Sequence, residues 1–436
     1  MANMTAEEFY NTLYSQVSKL ESYEAISQIV PEYKLEGFQS ADLLKALFFK
    51  RYILAYDTGL GKTLMAGAFI KALRNYNKRN KFIMFVTNGS LEQIAKNLKK
   101  YTGCKITTTT AESKIVDKKL LARDFLTSDI VLLTHECLNN PTVMYIMYQA
   151  RKHFTGVIVD EAHLVSNIQG AQSAMALFHM LKNFQYVLAL TATPITTNVS
   201  QLVNLMYQVN RDTVPNLRST EDVIMKSGLE YYRNLISVRT RKDLGITSNY
   251  VPHVHMVTPA EHQRGACGTN LFDITKGEGA YPQVNELIKI IKSYPSEKGL
   301  VYINRHATRE FVVKELEKAG IKYDCINGKT SRKDKVKAQN AFNNNELDVL
   351  ILSDVTSLDL DCSYVILYEF TVHMRQFVGR GHRGLNPKTL HIHFIFTTHT
   401  LEPAFFLKNI WERSLIVKSV LGQDIKYIAD AVKQMS

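Results

Sequence analysis

Short unbroken runs of apolar residues alternate along most of the chain with longer segments in which apolar positions return every three or four residues. A strand covered on both faces of a parallel sheet reads as an unbroken apolar run, and the longer period belongs to a helix packed by one face. The runs "YILAY" (52–56), "FIMFV" (82–86), "IVLLT" (130–134), "GVIVD" (156–160) and "VLALT" (187–191) predict one set of strands. A second set follows in "GLVYI" (299–303), "VLILS" (349–353), "YVILY" (364–368) and "HIHFIF" (391–396), interleaved with helical stretches such as "ATREFVVKELEKAG". Two such alternations predict two α/β units with parallel sheets. Phe9, Leu13, Val17 and Leu20 recur at helical spacing and predict an amphipathic helix over residues 1–30. Residues 205–298 are first helical and then polar in character, and "GACGTNLFDITKGEGAYP" (265–282), rich in glycine and without period, predicts an exposed loop. Its composition fits a substrate-contacting element and a tolerated insertion equally well.

With 436 residues, 45% hydrophobic and 22% charged, the chain has enough apolar side chains for two or three cores, which excludes disorder as its main state. No apolar run approaches the roughly 18 residues that a membrane span needs, and the start, "MANMTAEEFYNTLY", lacks the layout of a secretory signal. A cytoplasmic protein without a membrane partner is expected. The five cysteines, at 104, 137, 267, 325 and 362, include no C-x-x-C pair, so neither a disulfide framework nor a cysteine zinc site is expected. The formal net charge of +12 is shared by both halves, which points to a polyanion that runs across both.

The stretch "ILAYDTGLGKTLMAG" (53–67) places a glycine-rich turn between a predicted strand and a predicted helix. That is the context of a phosphate-binding loop, although Tyr56 stands where the first glycine of G-x-x-x-x-G-K-[ST] is usual. Gly59 and Gly61 let the backbone approach a phosphate, Lys62 is placed to reach the β and γ phosphates, and the Thr63 hydroxyl suits Mg²⁺. Downstream, "GVIVDEAH" brings Asp160 and Glu161 out together at the end of an apolar strand, an arrangement that is costly unless a cation offsets it. In such a site the first carboxylate holds Mg²⁺ and the second orients and deprotonates the attacking water. In the second unit Gln376, Gly379, Arg380 and Arg383 fall at the spacing of one helix face. Arginines aimed at a transferring phosphate are worth about 10³ to 10⁵ in rate.

In this order the motifs resemble those of the superfamily two helicases and translocases. "EGFQ" resembles their adenine-recognising glutamine motif, and "DEAH" (160–163) stands between the phosphate loop and "TATP" (191–194) as it does in that family. "VTNGSLEQIAKN" and "LLTHECL" resemble motifs that touch the nucleic-acid backbone; "GLVYINR", "LSDVTSLDLD" and "QFVGRGHRG" resemble motifs IV, V and VI. The resemblance implies two tandem RecA-like P-loop NTPase lobes with an ATP cleft between them. The implied domains are an N-terminal extension (1–30), a first lobe (31–210), a linker with an insertion (211–285) and a second lobe with a helical tail (286–436). It also implies ATP and Mg²⁺ as cofactors. The nucleotide would be held by Gln39, Thr58, Gly59, Leu60, Gly61, Lys62, Thr63, Gln376 and Gly379, and the metal by Thr63 and Asp160. Catalysis would rest on Lys62, Asp160, Glu161, Arg380 and Arg383, with Arg383 as the finger. Coupling would pass through His163, Thr191 and Thr193, and nucleic acid would meet Thr87, Ser90, Thr134, Arg305 and Ser353.

"TGLGKT", "TATPITTNVSQLVNL", "ISVRTRKDL" and "GRGHR" are similar to the signatures of the Swi/Snf-like double-strand translocases. Motif V lacks the double glycine of that group, and the span between "RKDL" and motif IV is short, so a chromatin-remodelling role is not expected. The chain most resembles small bacteriophage-encoded helicases that remodel forks and migrate branched DNA. A monomer acting on duplex, forked or branched DNA, beside other replication or recombination proteins, is the expectation that follows. An RNA helicase and an ATP-gated nucleic-acid clamp are the alternatives.

"HVH" (253–255) and "HIH" (391–393) each set two histidines on one strand face, a pattern that ordinary strand residues explain more simply than a metal pair does. "RNYNKRNK" (74–81), Lys96 with Lys99 and Lys100, and "KTSRKDKVK" (329–337) are basic clusters suited to phosphate or to solvent.

Overall fold

A computed structural model describes residues 30 to 435 except 31, 112–117, 169, 197, 215, 242–248, 262–275, 354–357, 359, 372, 382–388 and 423–424. The chain divides into two units, one ending at Arg239 and the other beginning at Thr240. The helix expected over residues 1–30 lies outside the described residues apart from Val30.

The first unit is built on a sheet of seven strands: β1 (Arg51–Tyr56), β2 (Phe82–Val86), β3 (Ile106–Thr109), β4 (Ile130–Thr134), β5 (Gly156–Val159), β6 (Tyr186–Thr191) and β7 (Ile236–Arg239). They lie in the order β3-β4-β2-β5-β6-β1-β7, and every pairing is parallel. β2, β4 and β5 are buried along their whole length, because helices cover both faces of a parallel sheet. The helix Lys62–Tyr76 follows β1 and packs on the helix Leu91–Thr102, which follows β2.

The second unit carries β8 (Asn249–Val257), β9 (Gly299–Tyr302), β10 (Tyr323–Ile326), β11 (Val349–Leu352), β12 (Tyr364–Leu367) and β13 (Thr389–Thr397). Their order is β10-β11-β9-β12-β13-β8, again parallel throughout. One face is sealed by the helix Tyr281–Lys292, with Val284, Leu287, Ile290 and Ile291 buried, and by the helix His306–Lys318. The other face is covered by the C-terminal helices, including Lys426–Met435, whose Ile428 and Ala431 are fully buried. The segment expected as a glycine-rich loop lies partly outside the described residues. At its described end Lys276 is fully buried, donates to the Ile395 carbonyl at 2.6 Å and lies 3.6 Å from the Glu402 carboxylate.

The expected linker at 211–285 contains the helix Leu217–Ser227 and β7, both in the first unit, and β8 in the second. Both units are thus parallel-sheet α/β folds. The strands the apolar runs did not predict are β3, β7, β8 and β10, and these are the four sheet edges.

Candidate active site

β5, β6 and β1 are neighbours in the first sheet, so the loops that follow them leave side by side at its carboxyl edge. Ligand sites of open parallel sheets gather at that edge. After β1 the chain turns through Asp57 and Thr58, with the Leu60 N–H donating to the Asp57 carbonyl at 3.3 Å. Gly59 and Gly61 both adopt φ 86°, a conformation that L side chains resist. A Cβ at Gly61 would stand 2.7 Å from Gln39 Nε2. The helix starting at Lys62 has no side-chain cap at its N-terminus, and a helix N-terminus favours an anion. Lys62 and Thr63 are half-buried on this first turn, and Lys62 Nζ donates to the Tyr56 carbonyl at 3.1 Å.

Tyr56, which replaces the usual first glycine, is fully buried. Its hydroxyl donates to Asp42 Oδ2 at 2.8 Å, and burial, with Asp42 adding to it, raises its pKa far above the ordinary tyrosine value. Asp42 is itself fully buried. It also accepts from Ser237 Oγ at 2.8 Å and takes a two-point contact from Arg239, Nε to Oδ2 at 2.8 Å and Nη2 to Oδ1 at 2.7 Å. Its hydrogen bonds with Asp42 push the Arg239 pKa up against the opposing effect of burial. The sequence offered no signal for this cluster, whose members are scattered over three elements. Gln39, one turn before Asp42 on the helix Gly37–Phe49, accepts from the Glu36 N–H at 3.0 Å and donates to the Leu60 carbonyl at 3.1 Å. Its amide is thereby turned to the loop backbone.

At the end of β5 Asp160 is buried and its N–H donates to the Phe85 carbonyl at 2.8 Å. Glu161 follows in the left-handed region, φ 45° and ψ 47°, a conformation that a non-glycine residue holds only against strain. Its Oε2 lies 3.5 Å from His163 Nδ1. The same nitrogen is 2.9 Å from Thr191 Oγ1 and His163 Nε2 is 3.4 Å from Thr193 Oγ1, while the Thr193 N–H donates to Thr191 Oγ1 at 3.1 Å. Glu161, His163, Thr191 and Thr193 thus form one chain of polar contacts between the ends of β5 and β6. His135 is also buried, and burial lowers its pKa.

In the second unit the helix Met374–Arg380 carries Gln376, Gly379 and Arg380 and ends there; Arg383 lies outside the described residues. Arg380 Nε is buried without a hydrogen-bond partner among the described residues. Arg305 caps the helix His306–Lys318, and the N–H groups of Asn304 and Arg305 both donate to Glu369 Oε2, at 2.7 and 3.1 Å. Desolvation raises the pKa of that buried carboxyl. Ser353, half-buried after β11, donates its N–H to the Ile326 carbonyl at 3.0 Å.

Of the residues expected to meet nucleic acid in the first unit, Thr87 and Ser90 join their hydroxyls at 2.9 Å. Thr134 is buried, its hydroxyl 3.6 Å from Cys137 Sγ. Among the basic clusters Lys96, Lys99 and Lys100 are exposed, whereas Arg74 pairs with Asp129 at 2.9 Å and Lys81 Nζ donates to the Leu126 carbonyl.

The two histidine pairs meet across β8 and β13. His253 Nε2 lies 2.9 Å from His391 Nδ1, His255 Nε2 lies 3.0 Å from His393 Nδ1, and the rings of His253 and His393 stack at 4.6 Å. His255 Nδ1 reaches Glu286 Oε1 at 2.8 Å and the Tyr294 hydroxyl reaches His393 Nε2 at 3.0 Å. These nitrogens are joined to one another and to neighbours instead of converging on a point, and no group of three metal ligands is present among the described residues. Burial, followed by the neighbouring imidazoles, lowers the His393 pKa to about 2.

The first-unit residues fit a magnesium nucleotide. Gly61 lets the loop backbone close against Gln39, where a Cβ would stand 2.7 Å from Nε2. The hydroxyl of Thr63 and the carboxylate of Asp160 are hard oxygen donors of the kind Mg²⁺ takes.

Residues 20–196 match the family model of the type III restriction enzyme res subunit, and residues 282–384 match that of the helicase conserved C-terminal domain. The chain is 25% identical over 203 residues to the ATP-dependent helicase FUN30 of Saccharomyces cerevisiae, a match covering 45% of this chain and 18% of the yeast protein. It therefore spans only a small part of that relative's length. It is 24% identical over 453 residues to the uncharacterized ATP-dependent helicase YqhH of Bacillus subtilis, covering 85% of this chain and 76% of that protein. A solved structure, the Sulfolobus solfataricus SWI2/SNF2 ATPase core in complex with dsDNA, aligns over 92% of this chain and 96% of its own. Its TM-score is 0.43 and its sequence is 16% identical.

Proposed function

Starting from a chain that belongs to superfamily two of the helicases, we propose that it is an ATPase that converts hydrolysis into movement along DNA and remodels forked or branched DNA. The observation that carries this reading is the contact chain Glu161–His163–Thr191–Thr193 at the edge where the phosphate loop also emerges. A simple nucleotide-binding scaffold has no need to wire the carboxylate beside its phosphate loop to the next strand's loop.

In this reading Gly59, Leu60 and Gly61 wrap the phosphates with backbone N–H groups, with Thr58 at the loop entrance. Lys62 leaves the Tyr56 carbonyl to reach them. Thr63 and Asp160 would hold Mg²⁺, which when bound offsets charge on the phosphate oxygens. Glu161 orients a water and takes its proton. A change at Glu161 is passed through His163 to Thr191 and Thr193. Charge compensation at the phosphates is assigned to Arg380 and Arg383, and nucleotide binding also to Gln376 and Gly379. Thr87, Ser90, Thr134, Arg305 and Ser353 are assigned to the nucleic-acid backbone.

The test is ATP turnover measured with duplex DNA, single-stranded DNA, a four-way junction and RNA. Stimulation by duplex or junction DNA is expected, and Glu161→Gln should bind ATP yet turn over about 10² to 10⁴ times more slowly. Stimulation by RNA alone would replace the DNA reading with an RNA helicase. Absence of turnover in every case would leave an ATP-gated clamp.

A further inference from the structure

Tyr56 breaks the phosphate-loop pattern, and the structure gives the tyrosine its own set of partners. We propose that Asp42, Tyr56 and Arg239 are positioning residues that hold the entrance of the phosphate loop in register with the strand through which the chain leaves the first unit. The proposal deepens the ATPase reading and rests on it.

The contacts close a ring. Asp42 receives the Tyr56 hydroxyl and both arms of the Arg239 contact. The Tyr56 carbonyl receives Lys62 Nζ. The next residue, Asp57, donates its N–H to the Arg239 carbonyl at 3.0 Å. β1 and β7 are neighbours, with Tyr56 opposite Arg239 in the register. One turn before Asp42, Gln39 holds the Leu60 carbonyl at the far end of the same loop. The helix Gly37–Phe49 therefore grips both ends of the turn from one face, and β7 grips its entrance from the side.

The chemistry suits rigid placement. A fully buried carboxylate is costly unless several donors meet it, and Asp42 has donors from Tyr56, Ser237 and the two-point guanidinium. A glycine at position 56 would remove the hydroxyl donor and leave Asp42 with Ser237 and Arg239. Arg239 is the last residue of its unit. A displacement of Tyr56 or Asp57 when Lys62 moves to a phosphate therefore acts on Arg239 through both its side chain and its carbonyl.

The experiment uses the full chain with Tyr56→Phe, Arg239→Lys and the double variant. Thermal unfolding, binding of a fluorescent ATP analogue with Mg²⁺, and KM and kcat for ATP are all measured. Arg239→Lys keeps the charge and loses the two-point geometry; it should raise KM for ATP about tenfold and change kcat far less, because the ring sets how the loop receives the ground-state nucleotide. Tyr56→Phe should raise KM about threefold, and the double variant should lose less than the product, since both act through one carboxylate. Variants that unfold earlier yet keep wild-type nucleotide affinity and KM would show that the ring only holds the fold, and the proposal would be overturned. Losses that multiply would overturn the shared route through Asp42. A wild-type chain that neither binds nor turns over ATP would remove the ATPase reading itself, and the proposal with it.

Discussion

The buried ring around Asp42 and the histidine face between β8 and β13 solve the same problem in opposite ways. Each fixes polar side chains against an outer strand of its sheet, β7 in one unit and β8 in the other. Around Asp42 the charges are opposite and compensated, with the guanidinium held firmly protonated by its hydrogen bonds to the carboxylate. Across β8 and β13 imidazoles meet imidazoles, and Glu286 at His255 is the acidic partner in contact with them. A compensated ring ignores moderate pH and fails when one member is removed. A cluster in which burial keeps His393 neutral fails when that ring is asked to take up a proton.

The larger effect should come from Asp42→Asn, which strips the charge from a fully buried carboxylate and leaves Arg239 without its counterion. Breaking such a pair from one side costs about 3 to 5 kcal/mol. Urea unfolding should show the loss in the first unit alone. The single tryptophan, Trp411, belongs to the second unit, so its fluorescence transition should stay in place while the far-UV signal of the first unit moves to lower urea. A joint shift of both transitions would mean that the two units do not respond separately.

A smaller effect is expected from acid, in the other unit. The His393 pKa is lowered from its ordinary value of 6.5 to about 2, by burial first and by His253, His255 and His391 after it. The unfolded chain takes up a proton on this residue below its ordinary pKa and the folded chain does not. The stabilisation is therefore fully present above pH 6.5 and is lost as pH falls towards the folded value, at up to about 1.4 kcal/mol per pH unit. The Trp411 transition should move to lower urea between pH 7 and pH 5.5, and His393→Asn should remove most of that slope. An unchanged midpoint over this range would mean that His393 is not held neutral, and the contrast between the two clusters would collapse.

Much of the fold was legible because central strands of a parallel sheet are covered on both sides. "FIMFV", "IVLLT" and "VLIL" are buried from end to end and read as unbroken apolar runs. "ITTT", "ISVR", "NYVPHVHMV" and "YDCI" are edges, less completely buried and correspondingly polar, and no apolar run marked them. The phosphate loop and the pair Asp160 and Glu161 were legible because local spacing defines them. Asp42 was not, since its partners Tyr56, Ser237 and Arg239 come from distant parts of the chain and only the sheet order brings them to one carboxylate. The histidines were visible as pairs, but nothing in "HVH" or "HIH" says that β8 lies beside β13. Motif VI was legible as a helix face; the helix ends at Arg380 and Arg383 lies outside the described residues.

ATP turnover at Lys62 and Glu161 is proposed to drive movement along DNA. The most direct measurement of this coupling is ATP-dependent displacement of a third strand from a DNA triplex, followed with the wild-type chain and with Glu161→Gln. Displacement is expected from the wild type with ATP, none without it, and none from Glu161→Gln although that variant still binds the nucleotide. Undiminished ATP turnover on duplex DNA without displacement of the third strand would contradict the coupling.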